Sequence, residues 1–248
     1  MRATLPRGLS LVLTSSLTLS ALGAAAAERN SSTDDYARLW LRQDVERARA
    51  QLWVGTNQPI GALDLAFALR VDQHFTDTVD PRDREASLDS KYRAPRLQLE
   101  AGPAFSSGGF FLLPQLSLGY DLERGRFAQF APELISIIQG GPLYFETWLR
   151  FGFDSLFQKG AEDDFEARQL LLAALDNHIA VGGEVDFVVG LAHTAGSALR
   201  SVPLGPVLNL SPFAALTLGV FVGYELRPAA RQSSLDALSG RLTLTQVW

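Results

Sequence analysis

The sequence predicts an all-β fold: a single antiparallel, up-and-down β-barrel that crosses a membrane with about twelve strands. Three observations lead to this prediction. Apolar and polar residues alternate with a period of two through most of the chain, as in strands whose two faces meet different surroundings. The apolar positions are rich in leucine and aromatic residues, and the chain opens with the pattern of an export signal. Together these features indicate strands with an apolar medium on one side and a polar interior on the other.

Residues 1–27 have the composition of a secretory signal peptide. Two arginines open the segment, residues 9–22 form an apolar run, and three alanines precede Glu28. The alternative is a membrane anchor, but the run is shorter than the ~20 apolar residues that a spanning helix needs. We therefore expect residues 1–27 to be removed and residues 28–248 to form the barrel domain.

The composition of the remaining chain excludes several classes of protein. No run of 18 apolar residues follows residue 27, so a bundle of transmembrane helices is not expected. The net charge is −5 without a basic block, which gives no reason to expect nucleic acid as a partner. The chain has no cysteine, so disulfides are excluded. No stretch after Glu28 has the composition of a linker, and we expect one domain.

The sequence allows two interpretations of the first strands. Residues 36–42 are expected to form a strand, joined by a hairpin at 43–46 to a second strand at 47–55. Residues 34–50 are also rich in helix formers, and Thr33 could cap a helix. A helix that plugs the lumen or lies in the periplasm is therefore the alternative.

Later segments alternate more clearly. Residues 166–175 also contain helix formers, and a strand is predicted there because the hairpin pattern needs one. Residues 204–226 are expected to be two strands that break near Pro212, because proline cannot donate to a ladder. Leucine, valine or aromatic residues on one face and charged or small residues on the other mark six segments: residues 62–71, 96–105, 113–122, 143–157, 181–191 and 216–226.

The connections set the number of strands. In a membrane barrel both termini and the short turns lie on the periplasmic side, and the longer loops lie outside. Short and long connections alternate in this way only if 36–42 is a strand and 204–226 is two, which gives twelve strands; otherwise ten remain. Tight connections are expected at 56–59, 106–109, 139–142, 177–178 and 211–213, and long ones at 73–93, 158–164, 192–203 and 227–238.

Over residues 35–248 this pattern resembles the bacterial outer-membrane β-barrels. The polar face is rich in glycine and alanine as well as charge, and the chain ends in an aromatic residue, Trp248, although Gln246 interrupts the terminal alternation. The resemblance implies the outer membrane of a Gram-negative-type bacterium, contact with outer-membrane lipid and lipopolysaccharide, and insertion by the barrel-assembly machinery. A soluble periplasmic β-protein is the alternative.

The alternation also predicts which charged residues face the lumen. One interpretation is a passive channel for small solutes, whose charges select what passes. The other is a set of arginine–carboxylate networks that fill the barrel and leave no passage. A twelve-stranded barrel is wider than the eight-stranded kind that side chains fill, which favours a channel. The predicted pore-lining residues are Arg47, Arg49, Asp64, Arg70, Glu100, Asp121, Glu146, Arg150, Asp154, Glu184, Asp186 and Glu225, with Glu133 on the same face.

Two further functions stay open at the level of the sequence. A lipid hydrolase at the outer rim would use His74 or His193, which open predicted external loops, whereas His178 lies in a predicted periplasmic turn. A closed structural or adhesion barrel would act through its loops, of which 73–93 is the most polar. No spacing of residues suggests a metal or another cofactor, and no catalytic residue is predicted with the channel.

Overall fold

The computed structural model of the protein describes residues 35–43, 48–60, 63–74, 95–159, 161, 163–192, 196–213, 216–226 and 238–247. The predicted signal peptide, almost all of the predicted loop 73–93, and Trp248 lie outside these residues. Among the described residues, no helix has the length and apolar character required to span a bilayer.

The described chain forms twelve antiparallel strands that close into one barrel. Each strand pairs with the next in the chain, and the first pairs with the last. This confirms the predicted fold class and the strand number, and the alternative of ten strands is wrong. The strands are β1 (Asp35–Gln43), β2 (Ala48–Ile60), β3 (Leu63–His74), β4 (Arg96–Ser107), β5 (Phe110–Asp121), β6 (Arg126–Gly140), β7 (Leu143–Gly152), β8 (Asp163–Ala174), β9 (Ile179–Ala192), β10 (Gly196–Phe213), β11 (Leu216–Leu226) and β12 (Leu238–Val247).

The described parts of both segments that could have been helical are strands. β1 pairs with β2 over Asp35–Gln43 and with β12 over Tyr36–Gln43, so that Leu39 lies opposite Leu52 on one side and Leu244 on the other. β8 pairs with β7 and β9 in the same way. Helix propensity is a weak preference that tertiary context overrides, and here each segment completes a ladder that would otherwise leave two open edges.

Three predicted connections, at 56–59, 192–203 and 211–213, fall elsewhere in the chain. β2 continues to Ile60, and Pro59 pairs with Asp64, so residues 56–59 are strand and β3 begins at Leu63. β10 begins at Gly196, which turns most of the predicted loop 192–203 into strand. Pro212 lies where the pairing of β10 with β11 shifts register, between Leu210 and Phe213. A bulge of this kind accommodates a residue that cannot donate a hydrogen bond.

The outer face of the barrel is apolar. Large apolar side chains on every second position are more than a third exposed, among them Leu99, Leu116, Ile138, Leu171 and Val222. Aromatic rings gather at the ends of β5 to β8 farthest from the short turns, in the contacts Tyr120–Phe127, Phe127–Phe157, Phe130–Phe153, Phe151–Phe153 and Phe151–Phe165. An apolar band with an aromatic girdle is the surface that a bilayer requires of a spanning barrel.

Candidate functional site in the barrel interior

The structure places most of the predicted lumen residues in the interior. Asp64 is half-buried near the start of β3, on the same face of the strand as Arg70. Arg49 lies in β2, but its side chain is outside the described part, and Arg47 is outside it altogether. Their role in lining a pore stays a prediction. The buried members are Arg70, Glu100, Asp121, Glu133, Glu146, Arg150, Asp154, Glu184, Asp186 and Glu225.

One ion-pair network centres on Glu133 of β6. Nη2 of Arg70 and Nε of Arg150 each lie 3.4 Å from its Oε1. Nε2 of Gln115 and Nε1 of Trp148 donate to its Oε2 at 3.0 and 3.2 Å. A single carboxylate therefore joins side chains from β3, β5 and β7. Each of these contacts is charge-assisted or buried. The network therefore holds its side chains in place more firmly than isolated ion pairs on a protein surface would.

A second network crosses the other half of the barrel and centres on Glu184 of β9. Arg241 of β12 approaches both carboxylate oxygens of Glu184 through its two terminal nitrogens. Nε of Arg168 lies 2.9 Å from Glu184, and its Nη1 lies 2.6 Å from Oε1 of Glu146. The hydroxyl of Tyr144 donates to Glu146 at 2.6 Å. The chain of contacts runs from β7 to β12 without leaving the interior.

Tryptophan side chains connect the two networks across the barrel. The rings of Trp40 in β1 and Trp148 in β7 have centroids 6.5 Å apart, although these strands are on opposite sides of the twelve-stranded ring. Trp40 also contacts Trp53, and the guanidinium groups of Arg241 and Arg168 lie 4.8 and 5.7 Å from its ring. Arginine over an indole is a favourable cation–π arrangement. At this level the lumen is bridged by side chains. We call the two networks and these tryptophans the central belt.

The central belt encloses a small cavity of about 100 Å³ on the barrel axis. Its lining comes from β1 to β8 and from β10 to β12, so it belongs to the lumen and not to one hairpin. A water molecule needs about 10–15 Å³ of such volume, so the cavity has room for several waters. Sites that hold ligands the size of a drug measure about 300–1,000 Å³, and this cavity is smaller. In the conformation described, the lumen has room for water or small ions at this level and not for a sugar-sized solute.

The ends of the strands farthest from the short turns carry further polar contacts. Asp163 accepts hydrogen bonds from the backbone and hydroxyl of Ser155, which fixes the connection after β7. Other interior pairs at this end are Arg96–Asp154, Arg150–Asp164, Gln51–Asp72 and Ser201–Glu225. These contacts make the interior polar above the central belt.

The interior towards the short turns contains a cluster of apolar side chains, beside buried polar residues such as Asn57, Ser211 and Thr217, and the predicted lumen did not include this cluster. Leu172 in β8 shares a face with Arg168, and Ile137 in β6 shares one with Glu133, so both point inward. The alternation of the sequence already indicated that these two residues face inward, because an inward position can be apolar as well as polar. The buried cluster comprises Ala66, Ala104, Phe111, Leu113, Ile137, Tyr144, Leu170, Leu172, Ala180, Val207 and Phe221. We call this cluster the apolar layer.

Two charged members of the central belt were not predicted from the sequence. Arg168 and Arg241 were not among the predicted residues, although Arg241 has the opposite parity to Leu242 and Leu244 and could have been found in this way. Of the histidines, His178 lies in the short turn after β8, as predicted, and its Nδ1 is 2.9 Å from the carbonyl oxygen of Ser211. The described residues contain no support for a lipid hydrolase.

Comparison with known proteins gives a likeness of fold. No protein-family model and no curated protein sequence matches the chain. Among solved structures, the KdgM porin matches with a TM-score of 0.54 at 9% identity, covering 86% of this chain and 99% of that one. The NanC porin matches with a TM-score of 0.54 at 8% identity, covering 85% and 97%. A KdgM porin in complex with disordered oligogalacturonate matches with a TM-score of 0.54 at 11% identity, covering 88% and 99%.

At these identities the likeness concerns the fold. The shared feature is a closed antiparallel barrel of similar length, which leaves no sheet edge unpaired in lipid. The apolar outer face described above is the second, independent observation. The protein is a twelve-stranded β-barrel of the outer membrane with porin-like architecture.

Proposed function

We propose that the protein is a narrow outer-membrane channel for small solutes. The observation that carries this proposal is the cavity on the barrel axis, lined by ionised side chains that can ligand a passing ion or water. The named porins among the structures of similar fold support it.

The cavity sets the size of solute that we expect. Trp40 and Trp148 approach each other across the lumen, and the adjoining arginines pair with carboxylates on neighbouring strands. Water and small ions fit this space as it stands. A larger solute requires the two indoles to move apart, so permeation should fall steeply with solute size.

The test is conductance in planar bilayers combined with swelling of liposomes in solutes of graded size. We expect small single-channel openings and swelling limited to the smallest solutes. The double variant Trp40→Ala, Trp148→Ala removes the indoles that bridge the lumen and should raise the size limit of the solutes that pass. A folded protein that shows no openings and no swelling, in either form, would exclude a channel.

A second candidate function is a closed structural barrel that acts through its external loops. The observation that favours it is the density of the interior, where the apolar layer and the ion pairs occupy the lumen at two levels. It shares the fold and the membrane location with the channel. The two differ in one measurement, since a closed barrel leaves liposomes tight even after the tryptophans are truncated.

A further inference from the structure

We infer that the apolar layer, and not the central belt of ion pairs, is the gate of the proposed channel. The layer keeps one level of the lumen dry, and ions pass only when its large side chains move and water enters. This inference rests on the proposed function, because a gate has meaning only in a barrel that conducts.

The first argument is burial. The side chains of Leu172, Ile137 and Phe111 are 0%, 1% and 2% exposed, although each points into the lumen of a barrel. On the opposite side of the lumen, Thr217 and Thr245 are also fully buried, and the Thr217 hydroxyl is 3.0 Å from that of Ser211. Water therefore does not reach these side chains from either end of the barrel.

The second argument is position. Leu113, Ile137 and Leu170 belong to the apolar layer and also line the central cavity. The cavity therefore ends against the layer on the side of the short turns. A solute that has entered the cavity past the central belt meets the layer next.

The third argument is chemical. An ion that moves through the central belt can exchange its hydration shell for carboxylate, guanidinium or amide groups such as those of Glu146, Arg168 and Gln115. The large members of the apolar layer, Phe111 and Leu172 among them, offer no such ligand, and the hydroxyls of Thr217 and Thr245 on the opposite side of the lumen carry no charge. Transfer of an ion into an apolar space without compensating contacts carries a far larger penalty than passage among polar groups. The dry level is therefore the higher barrier of the two.

The composition of the layer shows which residues close it. The side chains of Ala66, Ala104 and Ala180 are short, so the larger side chains of the layer fill the space near the barrel axis. Closure therefore depends on the large side chains, above all Ile137 and Leu172. A polar substitution of these two should let water enter without changing the ion pairs.

The experiment compares the parent protein with the double variant Ile137→Ser, Leu172→Ser in planar bilayers. We expect ion conductance to rise about tenfold or more, since a single leucine-sized change in burial is enough to shift a barrier by that factor. The matched control is Leu171→Ser, whose side chain is 52% exposed on the outer face, and its conductance should equal that of the parent. Glu184→Gln tests the central belt and should change conductance less than the double variant does.

The outcomes separate the inference from the proposed function. A parent protein that conducts, with Glu184→Gln raising conductance and the layer variants leaving it unchanged, would overturn the inference and keep the channel. No conductance in the folded parent, in the layer variants or in the tryptophan double variant would overturn the channel itself. If the double serine variant does not fold, Leu113→Thr at the boundary of the layer and the cavity provides the same comparison, with folding checked by the mobility of unheated samples in gel electrophoresis.

Discussion

At the scale of single residues, the interior is organised by arginines that are shared between carboxylates. Arg168 is 2.9 Å from Glu184 and 2.6 Å from Glu146, and Arg241 approaches the same Glu184. A buried carboxylate without a partner is costly, and two guanidinium groups on one carboxylate compensate for its loss of hydration. The arginines in turn lie over aromatic rings, which gives their faces contacts that water would otherwise provide.

A prediction at this scale concerns Gly182 in β9. A Cβ at Gly182 would collide with the backbone carbonyl of Leu171 and would lie 2.8 Å from Cα of Leu172. Because backbone atoms cannot rotate away, we expect Gly182→Ala to destabilise the barrel by about 1–3 kcal/mol. The measurement is the urea midpoint of unfolding in lipid vesicles.

Its control is the next residue. A Cβ at Gly183 would meet only the carbonyl oxygen of Gly205, at 3.7 Å, so Gly183→Ala should stay within about 0.5 kcal/mol of the parent. Equal midpoints for the two variants would show that β8 and β9 do not approach as closely as described.

At the scale of the strand, two faces with unlike surroundings explain the sequence. In β4 the outward Leu99 lies between Leu69 of β3 and Leu118 of β5, and its neighbour in the chain, Glu100, faces the ion pairs of the lumen. A shift of one residue in register would exchange the two faces and place charge in lipid. The alternation therefore specifies the register of each hairpin as well as the orientation of each strand.

This scale predicts a dependence on depth in the membrane. Leu116 is in the middle of β5, whereas Leu122 directly follows the last residue of β5, and both are about half exposed. Leu116→Arg should destabilise the folded barrel by about 2–4 kcal/mol and Leu122→Arg by about 0–1 kcal/mol. The difference is measured by reversible unfolding in phospholipid vesicles. A smaller effect at Leu116 than at Leu122 would contradict the assignment of the outer face.

At the scale of the whole molecule, closure decides the behaviour of the protein. β1 pairs with β12, so the sheet has no edge that could pair with another chain. The same closure turns the apolar face outward on all sides. The barrel satisfies its backbone internally and needs an apolar medium around it.

We therefore expect residues 28–248 to remain in solution only with detergent or lipid. In detergent, circular dichroism should show β structure, and unheated samples should migrate differently from heated ones in gel electrophoresis because the closed ladder resists the detergent. A monomer stable in plain buffer, with Leu99 and Phe151 protected from solvent, would show that the apolar face is internal and the assignment of faces is inverted.

Much of this architecture is local in origin and was predictable. A strand alternates because its two faces have different surroundings, and this alternation can be seen within each hairpin. Neighbouring residues therefore predict the number of strands and the face on which each side chain lies. They also predict nine of the buried lumen residues, such as Arg70 and Glu184. Turn positions at Pro59 and Pro212 did not follow, because a pairing partner or a bulge decides whether a strand tolerates proline.

The sequence by itself determined which side chains enter the interior, because that depends on parity along one strand. Only the tertiary structure decided which of them meet. Trp40 reaches Trp148 across the lumen, Arg241 reaches Glu184 from three strands away, and Phe111 and Leu172 share one apolar layer. These contacts depend on the closure of the barrel and on the tilt of its strands, which bring distant residues to one level. Alternation along a strand carries no information about that level.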